Sequence, residues 1–185
     1  MPFYPDDAPV PTELCSEEFR LRPLHAADVD LDYEAVMATQ EPLRQRTGGR
    51  WPRPGFTQAE NLADLEGHEA DFQARRGFTY TVLNPPGTRC LGCVYIYPLE
   101  DEGDGEARDN EAVVWFWVRP DGAADDLDRR LLAALVPWLQ NDFAFARVLF
   151  RAWSNDERQT ALLGEAGLRV VDTDPLGETE TLLFA

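Results

Sequence analysis

The chain has 185 residues, 44% of them hydrophobic, and a formal net charge of −17 at pH 7. That is enough for one compact domain with its own core, and no run approaches the ~20 apolar residues that span a bilayer. So large a negative charge repels phosphate backbones and anionic lipid before short-range contacts form, which excludes nucleic acid and membranes as partners. All 17 basic residues are arginine.

Residues 1–17 carry prolines at 2, 5, 9 and 11 and no periodic pattern, which predicts an extended arm, mobile or laid on the surface. Its opening lacks the basic-then-apolar order of a signal peptide, so a cytoplasmic protein is expected. Residues 18–185 then read as a single domain. Phe19 to Leu24 alternate apolar and polar as a half-buried strand does, and Asp28 offers an N-cap to a helix through Val29, Tyr33, Val36 and Met37. Arg44 to Gly55 reads as a Gly/Pro-rich loop. Thr57-Gln58-Ala59-Glu60 is a capping box opening a long helix that ends at Gly77.

Phe78–Leu83 and Cys90–Tyr97, joined by Asn84-Pro85-Pro86-Gly87, predict a hairpin. An acidic loop from Glu100 to Asn110 precedes a strand over Ala112–Val118. The next helix carries Leu127, Leu131, Leu132, Leu135 and Leu139 on one stripe, and Pro137 is expected to kink or shorten it. Arg147–Trp153 is a strand, Asn155 or Asp156 caps a short helix that Gly167 ends, and Leu168–Val171 and Glu180–Phe184 are final strands. The order β-α-α-β-β-β-α-β-α-β-β predicts an α/β (α+β) fold, a mixed β-sheet with helices on both faces.

The cysteines are Cys15, Cys90 and Cys93. On a regular strand, residues three apart point to opposite faces, so Cys90 and Cys93 are expected neither to bridge nor to share a metal, and no metal site is expected. The two histidines, His25 before a helix and His68 within one, read as structural or exposed rather than catalytic.

Over residues 18–184 this order resembles the GNAT superfamily of acyl-CoA-dependent N-acyltransferases. The resemblance is carried by Phe19-Arg20-Leu21-Arg22-Pro23-Leu24 with Asp28, by Leu91-Gly92-Cys93-Val94-Tyr95-Ile96, and by Val118-Arg119-Pro120-Asp121 leading into the leucine-rich helix. Asn155, Ala161, Gly167 and Leu168 are similar to the family's Asn…Ala…Gly-Phe pattern. The resemblance implies acetyl-CoA as cofactor and an amine acceptor, a small molecule or a peptide, and admits a homodimer. It implies cofactor contacts from the backbone of Phe116, Trp117 and Val118, with Asn155 either bonding the pantetheine arm or capping its helix.

The chain departs from the family in its cofactor loop. There the superfamily reads Arg/Gln-x-x-Gly-x-Gly/Ala, whose backbone N–H groups at a helix start hold pyrophosphate. The matching positions here are Ala123, Asp126 and Asp128, with Asp125 as a further acid. A carboxylate about 4 Å from a phosphate charge costs on the order of 4 kcal/mol at an effective dielectric near 20. The family's acidic tyrosine falls on Leu163, so no general acid is assigned. Glu111 is the best placed carboxylate for a general base and equally a solvated acid. Arg44 to Arg53 concentrate four arginines about Trp51, and Arg46, Arg50 and Trp51 are the candidate substrate-binding residues, either clamping an anionic ligand or pairing with the chain's own acids. Two readings follow, an N-acetyltransferase with atypical cofactor binding, or a non-catalytic GNAT-fold module that has lost ordinary acetyl-CoA binding.

Overall fold

A computed structural model describes residues 3–100, 107–176 and 179–185. The strands are β1 (Leu14–Cys15), β2 (Arg20–Pro23), β3 (Phe78–Leu83), β4 (Cys90–Glu100), β5 (Ala107–Val118), β6 (Arg147–Trp153), β7 (Val170–Leu176) and β8 (Thr179–Phe184). The helices are α1 (Val29–Ala38), α2 (Gln40–Arg46), α3 (Gln58–Gln73), α4 (Pro120–Ala124), α5 (Leu127–Asn141) and α6 (Glu157–Glu165). They build one eight-stranded mixed sheet in the order β1-β2-β3-β4-β5-β6-β8-β7. Every neighbouring pair is antiparallel except β5 and β6, which α5 joins as a parallel crossover. Residues 101–106 of the expected acidic loop lie outside the described residues. No helix among the described residues is long and apolar enough to cross a membrane.

Alternation along the strands sorts the core into two layers. Tyr80, Val94, Ile96, Val114 and Phe116 point to one face, where the leucine stripe of α5 and Leu162 and Leu163 of α6 cover them. Cys93 and Trp117 point to the other, against α1 and Leu65 of α3. Gly92 is required where β4 meets β5, because a Cβ there would sit 2.0 Å from the Trp117 carbonyl oxygen.

Several local expectations change under tertiary contacts. Asp28 makes no cap hydrogen bond. Its two oxygens take the Arg22 fork at 2.7 Å each, a stronger bidentate bond that ties β2 to the start of α1. The loop expected from Arg44 begins later, since α2 runs to Arg46. Helix α5 continues through Pro137 to Asn141, whose side-chain amide donates to the Pro137 carbonyl at 2.7 Å. The capping box at Thr57 and Glu60 is present in full. The left-handed residue after α3 is Arg75, at φ 57°, and not Gly77.

That Arg75 explains the N-terminal arm. Its guanidinium donates to the carbonyls of Pro5 (2.5 Å) and Ala8 (2.6 Å) and lies 5.2 Å from the Tyr4 ring centroid. Tyr4 is 1% exposed, packs edge-on against Phe78, Phe143 and Phe145, and accepts from the Ala144 amide at 3.0 Å. Tyr80 donates to Pro11, and β1 adds a short strand to the sheet edge. The arm is therefore part of the core. Tyr4→Ala should lower the free energy of unfolding by about 3–5 kcal/mol, read by urea denaturation. An unchanged midpoint would mean the arm contributes nothing to the fold.

Candidate active site

Strands β5 and β6 pair only from Glu111 opposite Arg147 to Val114 opposite Phe150. Beyond that point they part, and β6 pairs with β8 through Trp153. The Arg119 amide donates to Leu91 at 2.8 Å on the β4 side, so by alternation Trp117 also turns its backbone to β4 while Phe116 and Val118 turn theirs to the gap. A slot of about 780 Å³ opens there, lined by Phe116, Val118 and the start of α6. Its Phe116 carbonyl is already taken, by the Gln159 side-chain amide at 3.0 Å and by Arg46 at 3.2 Å.

A second cavity of about 460 Å³ lies on the α1/α3 face, walled by Trp51, Tyr95, Tyr97, Trp115, Trp117 and Trp153. Asp32, Arg46, Thr47, Asn61, Asp64 and His68 supply its polar groups. Arg46 and Trp117 line both cavities, which makes the two neighbours across the parted strands.

The structure separates the arginine loop into different roles. Arg46 pairs with Asp156 at 2.5 Å and reaches both cavities, and Trp51 lines the aromatic one, its indole N–H donating to Asp64 at 3.2 Å. Arg50 bonds the Thr47 carbonyl at 3.0 Å and lines neither cavity. Arg44 donates to Pro52 and Arg53 within the loop, and Arg53 pairs with Glu60. Glu111 sits at the paired end of β5, 3.8 Å from Arg147, five residues from Phe116 and outside both cavity walls. At ~3.3 Å per residue that is about 17 Å of strand, too far for direct proton transfer at the slot. Asn155 lines the slot and donates to the Gln45 carbonyl at 2.8 Å, while Asp156 caps α6 by accepting from Gln159.

His68 is the functional candidate that helix periodicity missed. It lines the aromatic cavity, and its Nδ1 lies 2.7 Å from the Tyr97 hydroxyl, which donates to Asp71 at 3.4 Å. The Thr79 hydroxyl also lies 3.3 Å from Nδ1, and in the tautomer that carries its proton on Nδ1 the ring leaves Nε2 as an acceptor. Burial holds the His68 pKa below its ordinary 6.5, so the ring is neutral at pH 7. The sequence signal was present only as a histidine on the inward face of a capped helix, and the strand residue it meets is 29 positions away.

The expected pyrophosphate cradle is built differently. Where a glycine loop would offer free N–H groups, residues 120–124 form α4, and the Asp125 amide bonds the Asp121 and Gly122 carbonyls. Asp126, at φ 58°, precedes α5 without a side-chain cap bond. Asp128 takes the Arg129 amide at 3.0 Å. Arg158 of α6 then grips Asp128 at 2.6 and 2.9 Å and Asp126 at 3.1 Å. The Arg129 amide and the nearest cation, Arg158, are thus engaged by the chain's own carboxylates, a terminus that does not suit a pyrophosphate.

Family models give no match to this sequence, and no curated protein matches it. Solved structures do match in fold. The chain has the GNAT acetyltransferase architecture. A ribosomal-protein-S5-alanine acetyltransferase from Vibrio fischeri superposes with a TM-score of 0.73 at 12% identity, over 94% of this chain and 95% of that one. RimL, a ribosomal L7/L12 α-N-protein acetyltransferase in complex with coenzyme A, gives 0.72 at 14% identity over 91% and 93%. MccE, a microcin C7 self-immunity acetyltransferase in complex with acetyl-CoA and AMP, gives 0.69 at 11% identity over 91% and 92%.

Asp128 is 6% exposed, so removing its cation leaves a buried carboxylate uncompensated. Arg158→Ala should cost about 1–3 kcal/mol of stability, and Asp128→Ala in that background should restore part of it. Additive losses in a double-mutant cycle by urea denaturation would show the two side chains to be uncoupled.

Proposed function

We propose that this chain is a cytoplasmic N-acyltransferase that transfers an acetyl group from an acyl thioester to an amine held in the aromatic cavity. The observation that carries the reading is the meeting of the two cavities at Arg46 and Trp117, which brings a thioester-sized slot and an amine-sized cage to one place. An amine arrives as an ammonium ion, and a cage of tryptophan and tyrosine faces with Asp32 and Asp64 favours a cation through the ring quadrupoles and the carboxylates. The acceptor class that fits is a primary amine on an apolar or aromatic body, a small molecule or a peptide N-terminus.

The chain's residues then do three things. The cage desolvates the amine and fixes its approach, Asp64 and Trp51 hold its charged end, and His68 Nε2 accepts the proton that the amine must lose before it attacks. With Leu163 buried in the α6 core, no side chain there protonates the leaving thiolate. Catalysis rests on positioning and on one base. Donor recognition rests on the arm in the slot and not on the pyrophosphate, because the Asp126–Asp128 terminus is self-neutralised. A non-catalytic binding module would use the same cage, but it would give the neutral His68 no proton to accept.

The test is acetyl transfer to a panel of arylalkyl amines and short peptides, with acetyl-CoA and acetyl-pantetheine as alternative donors and products read by mass. Transfer to the amines with similar apparent affinity for the two donors is expected. No transfer to any amine by the folded protein, or a strong preference for acetyl-CoA, overturns the corresponding half of the reading. Changing Asp125, Asp126 and Asp128 together to Gly, Gly and Ala removes the acids and releases Arg158. Acetyl-CoA affinity by calorimetry should rise by about 10-fold or more, equivalent to about 1.4 kcal/mol. Low-micromolar binding to the unaltered chain would show that another site holds the phosphates.

His68 gives a pH signature. Its folded pKa lies below 6.5, so the ring stays an acceptor at neutral pH and the rate falls only as pH drops through that lowered value. His68→Gln should lower kcat about 100-fold or more with little change in the amine KM, and should abolish the acidic limb of the profile.

A further inference from the structure

Strand β4 contains an irregularity that reverses the expectation for its two cysteines. Val82 of β3 faces Gly92, but the next residue, Leu83, faces Cys90, so Leu91 is an inserted bulge residue. The bulge turns Leu91 to the α5 face and puts Cys90 on the same face as Cys93. Both sulfurs then meet α1, whose Asp32 projects between the helices. The two Sγ atoms and an Asp32 oxygen all lie within 4.8 Å of one another, and all three residues are buried.

Arg22 lies near enough to Cys90 to feel its charge, but it is held by Asp28, and Asp32 has no cation of its own among the described residues. The three acidic groups sit among Leu24, Ala35, Val36 and Leu65. Asp32 accepts from Asn61 at 2.9 Å and from Cys93 Sγ at 3.4 Å, and Cys90 Sγ meets the Gly92 carbonyl at 3.5 Å and the Cys93 thiol. Asn61 is 1% exposed, and its own Oδ1 is buried without a hydrogen-bond partner. Asn61, bonded to Asp32 through its Nδ2, thus keeps a buried acceptor free for one further donor next to the carboxylate.

We propose that Cys90, Cys93 and Asp32 form a binding site for a thiophilic divalent cation, with Zn2+ the best match, at the floor of the aromatic cavity. Metal–sulfur bonds of ~2.3 Å and metal–oxygen bonds of ~2.0–2.2 Å place tetrahedral ligand atoms about 3.5–3.8 Å apart, so the cluster closes on an ion with a shift of about an ångström. Two thiolates select against Mg2+ and Ca2+, which take all-oxygen ligands. Three protein ligands leave a fourth position. Asp32 and Asn61 both line the cavity, so that position opens toward it, within reach of a water bonded to Asn61 Oδ1. Two thiolates and a carboxylate around a divalent ion leave a net single negative charge, so the filled site still favours an ammonium guest above it.

Cobalt substitution tests this without measuring acyl transfer. The full chain carrying Cys15→Ser, which removes the exposed thiol of β1, is reduced, stripped with chelator and titrated with Co2+. A thiolate-to-cobalt charge-transfer band and intense tetrahedral visible bands are expected, saturating at one ion per chain and lost on adding Zn2+. Cys93→Ser and Asp32→Asn should each weaken Zn2+ in a chromophoric-chelator competition by more than the ~10–100-fold that an outer-sphere partner is worth, and Asn61→Ala by about 10-fold. Zn2+ should also protect Cys90 and Cys93 from alkylation in the otherwise unaltered chain, which keeps the test open if a variant fails to fold. Absence of the charge-transfer band, undiminished binding in Cys90→Ser/Cys93→Ser, or a Cys90–Cys93 disulfide that persists under reductant would each overturn the proposal.

Discussion

The pairing of β5 with β6 stops after four residues, and the rest of the molecule is arranged around that stop. Strand β6 runs on to Trp153 with its other edge paired to β8, while β5 runs on to Val118 paired only with β4, so the facing edges of β5 and β6 are left open in the middle of the sheet. Buried backbone groups cannot stay unpaired at such an edge. In this chain the Phe116 carbonyl is met by Gln159 from α6 and Arg46 from α2, which ties three elements together across the gap. The same divergence gives the slot its walls and opens the aromatic cavity on the opposite side of Trp117.

Charge is balanced locally despite the net excess of acids. Arg22 with Asp28, Arg46 with Asp156, Arg119 with Glu34 and Arg158 with Asp126 and Asp128 each join two elements. Glu34 is held below the ordinary carboxylate range by its Arg119 bond. The most consequential of these is the Arg158 clasp, because it sits at the start of α5, where the resemblance led to the expectation of an anion site. A short helix takes up the N–H groups, two aspartates take up the dipole and an arginine neutralises the aspartates.

The fold was legible in the residues because its signals are periodic and local. Alternation marked β2, the turn Asn84-Pro85-Pro86-Gly87 marked the β3–β4 hairpin, the leucine stripe marked α5, and Thr57 with Glu60 marked the start of α3 through contacts only three residues long. The acids of the cofactor loop were legible too, since their count and spacing are sequence facts. The resemblance to the GNAT superfamily rested on the joint order of these elements, and the superpositions agree with that order.

The site was mostly not legible, and the reason is the range of the contacts. Whether Asp28 caps a helix or binds Arg22 depends on where β2 lies, and whether His68 is a surface histidine depends on Tyr97 in another element. Counting along the chain put Cys90 and Cys93 on opposite faces, and a single inserted residue, specified by the pairing with β3, put them on one. The sequence by itself determined the main strands and helices and where the negative charge is dense, while the short β1, α2 and α4 were not legible in it. Only the tertiary structure decided which side chains share a cavity, because that depends on strand register and on the parting of β5 and β6, neither of which any local window of residues encodes.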